Sequence, residues 1–235
     1  MRDFPGVARV VVDMPGPWWL ARPVTEKVTD PMAAPRGAAT GDPQEAEAYR
    51  VLRSRIDLSG LPPLTRAVTE RVLVATADFD YVTDLVCDEA GLEQAAAALA
   101  SRVAVLTDSV TVAVGIAGYP VTCKAAEPLA ARLARSAGIT VAAAGIRLGF
   151  GECGPGAVWL VGSAPDALSE IIRRAVMPTL VIGVPVGFAG AAAAKDELRA
   201  SGLPAVTNVS EKGGPSVAAA VFTTLLRVAA GVPLP

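Results

Sequence analysis

The 235-residue chain contains no histidine. That removes the only side chain whose ordinary pKa falls between pH 5 and 8, and with it any Ser–His or Cys–His nucleophile pair. Cysteine is almost as scarce. Cys87, Cys123 and Cys153 are odd in number and widely spaced, with no CxxC pair, so they read as buried free thiols rather than a disulfide framework or a zinc site. An excess of positive charge is also missing: 21 basic against 23 acidic residues give a net charge of −2, which argues against a nucleic-acid partner. No run of about 20 apolar residues survives the interruptions by glycine, proline and charge, so no membrane span is expected. The opening Met1-Arg2-Asp3-Phe4-Pro5 has no apolar stretch of signal-peptide length, and the expected location is the cytoplasm.

What is present is a core-forming composition, 52% hydrophobic, with 22 glycines and 19 prolines as punctuation. Residues 1–41 read as an N-terminal extension, with a strand at 7–13, a Pro15-Gly16-Pro17 turn, the pair Trp18-Trp19 and a proline-rich linker over 32–43. The tryptophans either pack the extension onto the body or cover a pocket or a partner subunit. Residues 42–235 read as one domain. Helical spacing is expected over 43–57 and 64–70, and a short buried strand over Val72–Thr76. Further helices are expected at 91–101, 127–137, 167–175, 191–200 and 216–230, with strands at 103–106, 157–161 and 179–184. The alternation predicts an α/β fold with a mostly parallel sheet and helices on both faces.

Several strand ends open into glycine-rich turns leading into helices: Gly162-Ser163-Ala164-Pro165-Asp166, Gly183-Val184-Pro185-Val186-Gly187-Phe188-Ala189-Gly190, and Lys212-Gly213-Gly214-Pro215-Ser216. None matches GxGxxG or a Walker sequence. Singly, each fits tight helix–strand packing. Together, at the carboxyl ends of parallel strands, they mark one ligand crevice.

The segment Pro178 to Leu198 resembles the precorrin-8X methylmutase family, whose pattern ends PVGFVGAAESK where this chain reads Pro185-Val186-Gly187-Phe188-Ala189-Gly190-Ala191-Ala192-Ala193-Ala194-Lys195. Further segments are similar in the same order. Asp42-Pro43 with Tyr49 resembles a DP..I...SF opening, Leu106-Thr107-Asp108 with Gly115-Ile116 a TD..M...GI element, and Val121-Thr122-Cys123 a V.C strand. Gly162 to Leu168 resembles GNAPTAL, and Gly213-Gly214-Pro215-Ser216 a GGS turn. The resemblance covers roughly residues 42–230. It implies a homodimer, with the pocket near the subunit interface, that needs no cofactor and carries out a formal 1,5-sigmatropic methyl shift on a corrin precursor in cobalamin biosynthesis.

Most of the departures from the family fall on polar positions. The histidine of RVIHATGDFDY, which the resemblance implies as proton donor or hydrogen-bonding acid, is Val74 here, and the arginine of TRSAAA is Val141. The family's methionine corresponds to Thr111, the asparagine and threonine of GNAPTAL to Ser163 and Asp166, and the glutamate and serine of AAESK to Ala193 and Ala194. Carrying the family positions over gives a candidate ligand site of Val74, Thr76, Asp78, Tyr81, Asp108, Thr111, Thr140, Val141, Ser163, Gly187, Phe188, Lys195, Gly213 and Gly214, with no catalytic residue assigned and no metal. Asp80 reads as a helix cap. Asp108 and Thr140 read as pocket residues rather than caps, and Lys195 as either a charge near the pocket or a solvated helix residue. A pocket that exchanges donors for methyl groups predicts retargeting toward a less charged ligand. The leading expectation is therefore a cofactor-independent isomerase or cyclase that folds a bulky, apolar, conjugated substrate for a pericyclic-type rearrangement in secondary metabolism. Two alternatives stand beside it: a retained methyl shift on the corrin ring, and non-catalytic binding of a tetrapyrrole or other hydrophobic ligand.

Overall fold

The computed structural model describes residues 43–174 and 177–233. The strand expected at 7–13, the tryptophan pair and the linker through residue 42 lie outside the described residues. Five strands form one sheet: β1 (Leu85–Cys87), β2 (Val105–Thr107), β3 (Val158–Val161), β4 (Leu180–Gly183) and β5 (Ala205–Asn208), in the order β1-β5-β4-β3-β2. Strands β2 to β5 run parallel, while β1 pairs antiparallel with β5, Leu85 standing opposite Asn208. The free side of β2 is covered by Thr122, which exchanges backbone hydrogen bonds with Val105 and Thr107.

Side-chain alternation along the strands divides the core in two. Val158 and Leu160 of β3, with Leu180 and Ile182 of β4, face α1 (Pro43–Arg55), α2 (Pro63–Thr76), α4 (Glu89–Ala100) and α10 (Pro215–Ala229), where Leu52, Val68, Val72, Leu92, Leu99, Val221 and Phe222 complete the layer. Trp159, Val161 and Val181 point the opposite way, onto Ile146 of α7 (Val141–Cys153), Leu168 and Ile171 of α8 (Pro165–Arg173) and Leu198 of α9 (Ala191–Ala200). The central strand residues are wholly buried, and each such aliphatic side chain contributes about 1.5–3 kcal/mol. A sheet covered on both faces accounts for the continuous apolar run over 179–184.

Several sequence expectations are corrected. Val72–Thr76 is not a strand but the last turn and a half of α2. Val68 and Val72, four residues apart, both point into the core, so burial against α10 keeps the helix going through a β-branched stretch. Strands β1 and β5 were not foreseen because each is short and edged by polar residues. Helix α7 escaped notice because three glycines interrupt it, yet Gly145 is needed there: a Cβ on it would lie 2.6 Å from the backbone nitrogen of Ala125. The short helices α3 (Tyr81–Asp84) and α5 (Val110–Val114) and helix α6 (Pro128–Ala137) complete the described elements, along with a 3-10 turn at Lys124–Ala126. No single helix among the described residues is long and apolar enough to cross a membrane; α6 and α7 have the length only as a pair bent by 111°.

Candidate functional site at the carboxyl edge of the sheet

Parallel strands carry their following loops to one edge, and the antiparallel β1 brings the residues before it to the same edge. Asp108 follows β2, Ser163 follows β3, Gly187 and Phe188 follow β4, and Gly213 and Gly214 follow β5, while Asp78 to Asp84 precede β1. The candidate residues thus stand at this edge in two groups, one around the turn after β5 and one around the turn after β3 and the starts of the helices on that side.

The first group joins α2, α3 and the turn after β5. Lys212 Nζ donates to Asp78 at 2.7 Å and to Asp80 at 2.5 Å, and sits 6.0 Å from the centre of the Tyr81 ring. The two carboxylates hold the ammonium above lysine's ordinary range, and Lys212 in turn holds Asp78 below that of a carboxylate. Asp80 therefore serves as an ion-pair partner; its side chain makes no capping bond to α3. Tyr81 is buried, and its burial raises the phenol pKa. Val74 lies in the last turn of α2, half-buried against the core, and offers nothing to a substrate beyond its methyl groups. Thr76 spends its hydroxyl on the carbonyl of Val72. Ala77 ends the helix with φ 53°, a left-handed conformation usually reserved for glycine.

Beneath this group lies a polar network that the sequence reading missed. Lys195, expected at a pocket or in solvent, is completely buried. Its Nζ donates to Asn208 Oδ1 at 2.9 Å, to the Lys212 carbonyl at 2.7 Å and to the Ser210 carbonyl. Asn208 Nδ2 donates to Asp84 Oδ2 at 2.9 Å and to the Lys212 carbonyl. Asp84 also accepts from the backbone of Val209 and Ser210 and from the Ser210 hydroxyl. Burial tends to raise Asp84, but the bonds from Asn208, Ser210 and Val209 outweigh it and keep the carboxyl below its usual range. Asp84, Asn208 and Ser210 stood in plain view as polar residues beside apolar strands; the missed strand β5 hid their common location. Gly213, φ 137°, packs so closely on this turn that a Cβ would lie 2.2 Å from the Val184 carbonyl oxygen.

The second group lies at the N-terminal ends of α7, α8 and α9. Asp108, almost wholly buried, accepts from the backbone N–H groups of Ser163 at 2.7 Å, Ala164 at 2.8 Å and Gly162 at 3.3 Å. It braces the turn after β3 and is not exposed to a ligand; burial lifts its carboxyl above the usual range. Ser163 shares a 2.9 Å hydroxyl contact with Ser109, the cap of α5, on which Thr111 is exposed. Thr140 is a cap after all: its hydroxyl accepts from the N–H of Ala143 and donates to Asp166. It is at the same time a wall of an open groove of about 480 Å³, shared with Asp166, Ser169, Gly190, Ala193 and Glu197. No basic residue lines that groove. Val141 and Phe188, beside it in sequence, are exposed, Phe188 to 99%.

The cysteines are free but half-buried, not fully buried. Burial, with Glu89 nearby, pushes the Cys87 thiol up to about 12, so it is no nucleophile at neutral pH. Among the described residues no group of three or more Cys, Asp or Glu converges in a way that would hold a metal ion.

Comparisons with known proteins agree with this architecture. The chain is 34% identical over 194 residues to the cobalt-precorrin-8 methylmutase of Salmonella typhimurium, covering 77% of this chain and 92% of that protein. It is 34% identical to that of Methanothermobacter thermautotrophicus, covering 81% and 95%. A solved precorrin-8x methylmutase from Thermus thermophilus superposes with a TM-score of 0.72 at 28% identity, covering 80% of this chain and 98% of that one. The family profile of precorrin-8X methylmutases matches residues 44–228, and with fold, turns and relatives in agreement, this chain belongs to the precorrin-8X methylmutase family.

Proposed function

We propose that the chain is a cofactor-free isomerase of methylmutase type, acting on a conjugated tetrapyrrole-type macrocycle at the carboxyl edge of the sheet, with the methyl shift on a corrin precursor as its reaction. The observation that carries this reading is the near-complete coverage of the methylmutase relatives, with the glycine turns after β3, β4 and β5 brought to one edge. In a formal 1,5 shift the methyl group leaves one ring carbon and bonds to another within the same conjugated system, so atoms and electrons balance without a co-reactant. Holding the ring in its reactive geometry lowers the barrier by itself. A positioned acid ordinarily adds about 10²–10⁴-fold, and Val74 supplies none of that.

The reading includes a homodimer with the pocket near its interface. In this reading Phe188 and Val114, exposed to 99% and 79%, are the apolar side chains offered to the ligand or the second subunit.

One observation favours a second reading, a retargeted isomerase or cyclase for an apolar conjugated substrate in secondary metabolism. The groove at the ends of α7 to α9 carries Asp166 and Glu197 with no arginine or lysine, and Val141 stands where the family has arginine. Such a lining repels a carboxylate-rich macrocycle and accepts a neutral one. The two readings separate on incubation of the purified chain with precorrin-8x and with hydrogenobyrinate. The methylmutase reading expects a shifted absorbance on binding and slow conversion, with Val74→His at least about tenfold faster than wild type. Silence of both proteins toward both compounds overturns it. Turnover of a neutral polyene then establishes the second reading, and a ligand recovered unchanged makes the chain a binder.

A further inference from the structure

The turn after β5, residues 208–214, is organised around a single buried cation. The Lys195 ammonium has three N–H donors, and the structure gives it three oxygen partners: Asn208 Oδ1 and the carbonyls of Ser210 and Lys212. All three partners belong to the turn. Asp84 holds the same turn from the other side through two backbone N–H groups, the Ser210 hydroxyl and the Asn208 amide. The turn in turn holds the loop after β4: the N–H of Gly187 donates to the Glu211 carbonyl at 3.0 Å, and the N–H of Gly214 donates to the Val184 carbonyl at 2.7 Å. Phe188 follows directly on that first bond. A buried amine whose every donor reaches the turn is more than a charge tolerated in a core; removing it leaves Asn208 Oδ1 without a partner and leaves the Ser210 and Lys212 carbonyls only the shared Asn208 amide.

We propose that Lys195 is a positioning residue of the site: its ammonium serves as an internal cation that sets the turn 208–214 and, through the bonds of Gly187 and Gly214, the loop that carries Phe188. Lys195 touches no substrate in this scheme and acts only through those two segments. The inference rests on the reading that the carboxyl edge holds the ligand, but its test needs no ligand.

The charged groups around Lys195 are Asp84 from α3, Glu211 and Lys212 from the turn itself, and Asp196 and Arg199 on its own helix. Burial, opposed by the Asp84 charge, brings Lys195 down to about 8. The cation is therefore held at pH 6.5 and falls away as pH rises through about 8, a window in which the chain has no histidine to titrate.

Amide hydrogen exchange on the whole chain decides the matter. In Lys195→Met, peptides covering 208–214 and 186–189 are expected to exchange about tenfold faster or more at pH 6.5, with those covering 141–161 unchanged. Unaltered protection at 208–214, or equal acceleration everywhere, overturns the proposal, the second result reducing Lys195 to a contributor to global stability. Where the variant does not fold, the wild-type series decides: protection of the same two segments, corrected for intrinsic exchange, falls between pH 7 and 9 relative to 141–161, and a flat ratio overturns the proposal. Failure to bind hydrogenobyrinate, by contrast, bears on the ligand reading alone.

Discussion

Two regions of the same sheet edge are built in opposite ways. Around the turn after β5, Lys195, Asn208, Asp84 and Ser210 satisfy one another at depth, and Gly213 sits against the Val184 carbonyl with no room for a methyl group. At the ends of α7, α8 and α9 the walls are alanine and glycine, the polar groups are two carboxylates and two hydroxyls, and the space stays open. The first region has no freedom to change without leaving buried polar atoms unpaired, at about 1–3 kcal/mol for each group. The second changes side chains without disturbing the backbone that presents them. Side chains therefore have room to change on the α7–α9 side, while the β5 side keeps the frame.

The contrast breaks most visibly at Gly213. Gly213→Ala places a Cβ 2.2 Å from a carbonyl oxygen at a backbone φ of 137°, and a loss of about 3 kcal/mol or more in urea unfolding is expected. A loss under about 1 kcal/mol would mean that the tight region yields as readily as the open one. Ala193→Trp probes the other side. Ala193 is exposed and lines the groove, so stability is expected to stay within about 0.5 kcal/mol while affinity for whichever macrocycle or polyene binds falls at least about tenfold. Unchanged affinity by titration would remove the groove from the site. The smallest effect belongs to Ala77, left-handed at φ 53°. Ala77→Gly is expected to raise the stability by about 1 kcal/mol, seen as a higher midpoint in urea, and a drop would refute the strain assigned to that turn.

Much of the frame was legible beforehand. The run Thr179 to Val184 announced a strand buried on both faces, the alanine-rich segment 191–200 matched α9 in both bounds, and the glycine turns marked the edge where loops converge. The sequence misled where tertiary packing decided. Val72 to Thr76 carries strand-like residues, but its spacing from Val68 suits the groove against α10. Lys195 reads in the sequence as either a charge near the pocket or a solvated helix residue because nothing near it in sequence pairs with it; its partners are 13 to 17 positions away, at the end of a strand too short to recognise and in the turn that follows. Thr140 looked like a pocket residue because the family pattern singled it out, and it is both wall and cap. The absence of histidine from the whole chain needed no structure to be seen.

The described sheet ends on one side in β1, three residues long, and on the other is sealed by Thr122. A strand that brief presents too few free amides to template the addition of another chain, so growth into fibres through this sheet is disfavoured.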